Sequence, residues 1–141
     1  MKNVKKLNNL LLNCLYKGKK VYYSTHNCKI VISDGYFISI VDRSDIYIDL
    51  AKCELIENMY EKFIPDDSNY LFTKITNTIE LIKGKDIRLL RNENDQIISV
   101  DNKYLSLFED NVLKSKKDID PVLVYNDDGE IIGLILPIKE Y

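Results

Sequence analysis

The sequence predicts an α+β protein, with antiparallel strands and about three helices arranged as a pseudo-repeat of helix followed by antiparallel hairpins. Three observations carry this. Apolar residues recur at three- and four-residue spacing up to residue 17 and then give way to short runs rich in Val, Ile, Tyr and Phe. Asp-Gly pairs at 34–35 and 128–129 separate such runs, as in hairpins. Helical spacing returns near residues 50 and 102.

In chain order, Val4, Leu7, Leu10, Leu11, Cys14 and Leu15 mark one face of a helix over 4–17, with Asn3 as N-cap and Gly18 as its stop. Strands are expected at Lys20–Thr25, Cys28–Ser33 and Tyr36–Asp42, the last two joined by a two-residue type I′ turn at Asp34-Gly35. A short strand at Ile46–Ile48 follows. Cys53, Ile56, Met59, Tyr60 and Phe63 then predict an amphipathic helix over 50–63, closed by Pro65-Asp66-Asp67. Four strand-like runs come next, at Tyr70–Ile75, Thr78–Lys83, Ile87–Arg91 and Gln96–Val100. Asp101 is a natural N-cap for a helix over 102–109 that turns Tyr104, Leu105 and Phe108 inward. A strand at Val112–Lys114 leads to a last hairpin, Pro121–Tyr125 with Glu130–Ile138, turning at Asp127-Asp128-Gly129.

The 141 residues match one domain, 1–141, with no linker or low-complexity tract inside. A chain this long buries about 68% of its unfolded surface and needs no disulfide or metal to hold a core. No apolar run approaches the ~20 residues that cross a bilayer. Three cysteines, Cys14, Cys28 and Cys53, form an odd set without metal-ligand spacing, which points to a reducing cytoplasm. Lysine far outnumbers arginine, there is one alanine, and Ile, Asn, Lys and Tyr abound, a bias towards AT-rich codons that suggests an AT-rich bacterium or one of its phages. Net charge is −2 but polarised: residues 1–43 carry +6 and the remainder −8.

Catalytic patterns are sparse. His26 is the only histidine, and on a strand it would share a face with Cys28, the one pairing open to nucleophilic chemistry. Asp127-Asp128-Gly129-Glu130 lacks the alternating ligands of a calcium loop, and none of the five glycines forms a phosphate cradle. No cofactor and no metal are expected.

The string Ser99-Val-Asp-Asn-Lys-Tyr-Leu-Ser-Leu-Phe108, then Pro121-Val-Leu-Val124, then Leu134-Ile-Leu-Pro-Ile138, resembles the end of a DNA sliding clamp domain. Val31-Ile-Ser-Asp-Gly-Tyr-Phe37 is similar to a clamp hairpin. The resemblance implies helices turned towards duplex DNA. Two departures stand against it: no strand precedes the first helix, and an extra helix over 50–63 divides the halves. A ring needs six such units, so one unit per chain implies either a homo-oligomer or a fold reused for another purpose.

Two binding surfaces follow. Lys5, Lys6, Lys17, Lys19 and Lys20, interleaved with Tyr16, Tyr22 and Tyr23, offer phosphate contacts to duplex DNA, with Lys2, Lys114, Lys116 and Lys117 as further basic residues. Asp66, Asp67, Asp127, Asp128 and Glu130 offer an acidic surface to the basic groove of a host protein. The leading expectation is a non-catalytic protein that blocks a host partner, such as a nucleic-acid-handling or CRISPR-type defence complex. A DNA-binding accessory factor is the alternative, and a small Cys28-dependent enzyme a third.

Overall fold

The computed structural model describes residues 3–138, and the chain falls into two compact units, residues 1–66 and 67–141. Lys2, counted above with the basic residues, lies outside the described residues. The α+β class with antiparallel strands is what forms.

In the first unit, α1 spans Val4–Tyr16 and buries Leu7, Asn8, Leu11 and Cys14. Full burial of Leu7 and Leu11 contributes roughly 1.5–3 kcal/mol each. Asn3 occupies the N-cap but makes no side-chain cap bond. At the other end the Gly18 N–H donates to the Leu15 carbonyl and the Lys19 N–H to the Cys14 carbonyl, both at 3.0 Å. This paired closure needs a left-handed residue, and Gly18 supplies it at φ +74°.

Three strands follow as an antiparallel meander: β1 (Tyr22–His26), β2 (Lys29–Ser33) and β3 (Phe37–Val41). The tight turn is not where Asp-Gly suggested. His26 pairs with Lys29, so Asn27 and Cys28 form the two-residue loop, at φ +48° and +66°. These are the two positive values a type I′ turn requires. Asp34-Gly35-Tyr36 instead makes a wider loop, with the Gly35 N–H on Ser33 Oγ and the Tyr36 N–H on Asp34 Oδ1, both at 2.9 Å. Cys28 is therefore an exposed turn residue and neither strand nor core. Replacing it with glycine removes the left-handed penalty and is expected to raise stability by about 1 kcal/mol, read as a higher urea midpoint.

The expected helix over 50–63 is replaced by three short pieces. Asp49 Oδ1 accepts from the Ala51 N–H at 3.0 Å and starts a 3-10 turn over Leu50–Lys52. The chain then extends as β4 (Glu54–Leu55), parallel to β1, with the Glu54 N–H on the Val21 carbonyl and the Ile56 N–H on that of Tyr23. Only after Asn58, at φ +59°, does the short α2 (Met59–Phe63) form. An open edge of β1 outweighs local helical spacing here. No strand forms at 46–48, although Ile46 and Ile48 are buried. The strand order of this unit is β4-β1-β2-β3.

In the second unit the two runs expected at 70–75 and 78–83 fuse into one strand, β5 (Leu71–Ile82). It pairs with β6 (Lys85–Asn92), and between Ile75 and Ile79 three residues of β5 oppose Leu89 alone. Lys83 and Gly84, at φ +50° and +77°, make the two-residue turn. Then come β7 (Ile97–Asp101), α3 (Asn102–Leu105), a 3-10 turn over Ser106–Phe108, β8 (Val112–Ser115), β9 (Val122–Tyr125) and β10 (Ile131–Ile135). Asp101 caps α3 as expected, its Oδ1 accepting from the Lys103 N–H at 3.0 Å. The order is β10-β9-β8-β5-β6-β7, every neighbouring pair antiparallel. Leu90, Ile98, Val100, Tyr104, Leu105, Leu107 and Phe108 are among its buried residues. The Thr73 and Ser115 hydroxyls share a buried 2.6 Å hydrogen bond across β5 and β8.

Candidate binding surfaces

The acidic residues separate into two groups. Asp127, Asp128 and Glu130 lie in the turn between β9 and β10, all exposed. Asn126 builds that turn: its Oδ1 accepts from the Asp128 N–H at 3.0 Å and the Glu130 N–H at 2.9 Å, and its Nδ2 donates to Glu130 Oε1 at 3.3 Å. The Asn126 carbonyl takes the Gly129 N–H at 3.1 Å, and Gly129 at φ +77° lets the chain reverse. Three carboxylates are thus held on a fixed loop. Sequence reasoning missed Asn126 as its organiser, although an Asn opening Asn-Asp-Asp-Gly-Glu is the signal for such a turn.

Asp66 and Asp67 do not act as a pair. Asp66 is exposed at the end of the first unit. Asp67 Oδ2 accepts a 2.6 Å hydrogen bond from the Tyr125 hydroxyl, and its carbonyl takes the Tyr70 N–H. Beside it the Tyr70 hydroxyl has its pKa pushed up to about 12 from the ordinary 10.0, by burial first and then by Asp120 and Asp67. Tyrosine is neutral when protonated, so a raised folded-state value makes stability fully present below pH ~10 and falling as pH rises towards 12. Spectroscopic titration at 295 nm should find a tyrosine ionising near that upper value, and Tyr70→Phe should remove it and flatten the alkaline loss of stability.

The basic residues are spread along α1. Lys5 and Lys6 are exposed on its first turn, and Lys17 is exposed at its C-cap. Twelve residues of helix set Lys5 and Lys17 about 18 Å apart. Lys19 is exposed, and Lys20 faces Glu54 at 3.4 Å, an ion pair that partly spends its charge. Tyr16, 90% exposed, stands beside Lys17 with its ring in solvent. No acidic residue occurs before Asp34, so the exposed face of α1 carries no carboxylate, its Lys and Asn side chains standing with exposed Leu12 and Tyr16. Lys114, in the second basic group, instead sits over the Phe72 and Tyr125 rings at 4.8 and 4.7 Å.

His26 is held through both ring nitrogens, with Asn27 Nδ2 at 3.3 Å from its Nε2. Its ring stacks on Tyr60 at 3.8 Å with 6° between the planes, and its Nδ1 meets Glu61 Oε1 at 3.0 Å, tying α2 to the end of β1. Cys28 lies in the turn beyond it and not two places along the same strand. Burial raises the pKa of the Cys53 thiol, with Asp49 and Cys14 adding to it, which disfavours the nucleophilic thiolate. Among the described residues, no three His, Cys, Asp or Glu side chains come together to hold a metal ion, and no helix is long and apolar enough to cross a membrane. No protein-family model, curated protein or solved structure matches the chain.

Proposed function

We propose that this chain is a non-catalytic binding protein that occludes a host protein, and that the β9–β10 turn is its principal contact. One observation carries the reading. Asp127, Asp128 and Glu130 are exposed on a loop fixed by Asn126, and among the described residues no cation lies in ion-pair reach of them. Such a loop pays little ordering entropy on docking and is electrostatically suited to a basic groove. The second unit supports it, with fourteen acidic residues against ten basic ones. A partner with a groove of that sign is a nucleic-acid-handling protein, and the residue bias towards AT-rich codons favours a phage or mobile element as the source.

Tagged protein should capture such a partner from a host lysate. The D127N/D128N/E130Q variant should weaken the complex about tenfold or more, and raised salt should do the same. Capture that survives both, or no capture at all, sinks the reading.

A second reading, duplex DNA bound along α1, is favoured by the acid-free helix face and the exposed Tyr16 ring, and it accords with the clamp-like strings at 31–37 and 99–138. It requires a salt-sensitive duplex affinity that drops in K5E/K6E. Equal binding by that variant and the wild type would remove it.

A further inference from the structure

On the outward face of the second unit, two cations stand directly opposite each other. Lys74 of β5 pairs with Arg91 of β6, and Arg91 pairs in turn with Ile97 of β7. On the other side of β5, Phe72 pairs with Lys114 of β8. Thr73, Leu90, Asn92 and Ile98 alternate with these residues and are buried, so Phe72, Lys74, Arg91 and Ile97 share the solvent side of the sheet. Phe72 is 58% exposed, and Lys114 Nζ lies 4.8 Å from its ring centroid. Like charges directly opposed across a ladder are destabilising. Yet among the described residues neither Lys74 nor Arg91 has a carboxylate in ion-pair reach. Glu93, two places beyond Arg91, instead accepts the Phe72 N–H on its Oε1 at 3.1 Å.

We infer that this face binds single-stranded nucleic acid, with a base stacked on Phe72 and phosphates on Lys74, Arg91 and Lys114. Three features select that partner. The opposed cations lack an anion, and a phosphodiester chain supplies one at each nucleotide. The exposed Phe72 ring matches the flat face of an unpaired base, which a duplex hides within its stack. An acidic protein surface would answer the cations alone. The row from β8 to β7 crosses three strand spacings, about 14 Å, the length of about four nucleotides at ~3.4 Å each. Because the unit carries fourteen acidic residues against ten basic ones, micromolar affinity is expected. The inference goes beyond both functional readings above and depends on neither.

The test is binding of a labelled oligothymidylate of about twelve nucleotides to the full chain, followed by anisotropy from about 50 to about 300 mM salt. Three phosphate contacts should give a slope of log K on log salt near −2, about −0.7 for each. K74Q/R91Q should bring the slope to about −0.7. That variant should fold at least as well as wild type, read from its urea midpoint, because the opposed charges are gone. Phe72→Ala should weaken binding about tenfold. The chain has no tryptophan, so Phe72→Trp supplies a single indole on this face. It should bind within about threefold of wild type, with its fluorescence quenched as the oligomer saturates. K5E/K6E, which tests the duplex reading, should leave this binding unchanged. No binding up to about 100 µM protein, a complex indifferent to Phe72→Ala, or an unquenched indole at saturation would each overturn the inference. So would a duplex of the same length bound as tightly, or loss of binding in K5E/K6E. A chain that ignores the oligomer but holds an acidic protein or phosphatidylserine vesicles, and loses them in K74Q/R91Q, would overturn it as well.

Discussion

Asn8→Leu is expected to lower stability by about 2–4 kcal/mol, seen as a lower urea midpoint at unchanged slope. Asn8 lies on the buried side of α1 with 7% of its surface exposed. Its Nδ2 donates to the Val4 carbonyl at 2.9 Å and to the Asp45 carbonyl at 2.8 Å, while Oδ1 accepts from the Tyr47 N–H at 2.8 Å. Asp45 and Tyr47 belong to the loop that brings Ile46 and Ile48 into the interior without any ladder to satisfy its backbone. Leucine fills the volume and meets neither group. Each backbone group left unpaired costs about 1–3 kcal/mol when buried. A loss under about 1 kcal/mol would mean that water reaches both groups and that the side chain is not what seats this loop.

Asn92→Leu should cost about 2–3 kcal/mol, somewhat less because part of its network is solvent-accessible. The residue is 4% exposed at the end of β6. Oδ1 accepts from the Asn94 and Gln96 N–H groups at 3.0 and 3.1 Å, and Nδ2 donates to Gln96 Oε1 at 3.0 Å and to the Lys116 carbonyl at 3.1 Å. One side chain shapes the β6–β7 turn and anchors the segment after β8. Amide exchange separates the two roles: Asn94 and Gln96 should exchange faster in the variant, whereas the β5–β6 ladder near Ile87 should not change. Uniform acceleration across the unit would instead indicate global loosening.

These two asparagines also mark the limit of what the residues reveal by themselves. α1 was legible because its apolar period is long and Gly18 ends it, and α3 because Asp101 caps it. Asn8 carries no signal in the helical spacing, since two of its partners lie 37 and 39 residues away. The segment 50–63 misled for a similar reason: its spacing suits a helix, but the edge of β1 claims Glu54 and Leu55. The type I′ turn hid in Asn27-Cys28 because the more familiar Asp-Gly stood nearby. Of the proposed surfaces, the β9–β10 acidic turn was readable from five consecutive residues. The grouping of Asp67 with it was not, because the Tyr125 hydroxyl that engages Asp67 comes from 58 residues away. The lysines looked like one patch in the sequence, and the length of α1 spreads them.

The pairing of β5 with β8 also constrains the order of folding. β5 meets β6 across two residues and β6 meets β7 across a short turn, so this meander closes early and locally. The Thr73–Ser115 contact spans 42 residues, and its chain-closure cost is met later. During synthesis at ~5–20 residues per second, those 42 residues take about 2–8 seconds to emerge. For the part of that interval after Asn92 has emerged, the nascent chain carries the finished β5–β6 hairpin with the whole length of its outer edge bare. Until β8 docks, that edge, with Ile75, Ile79 and Leu81 exposed beside it, is open to pairing with a neighbouring nascent chain.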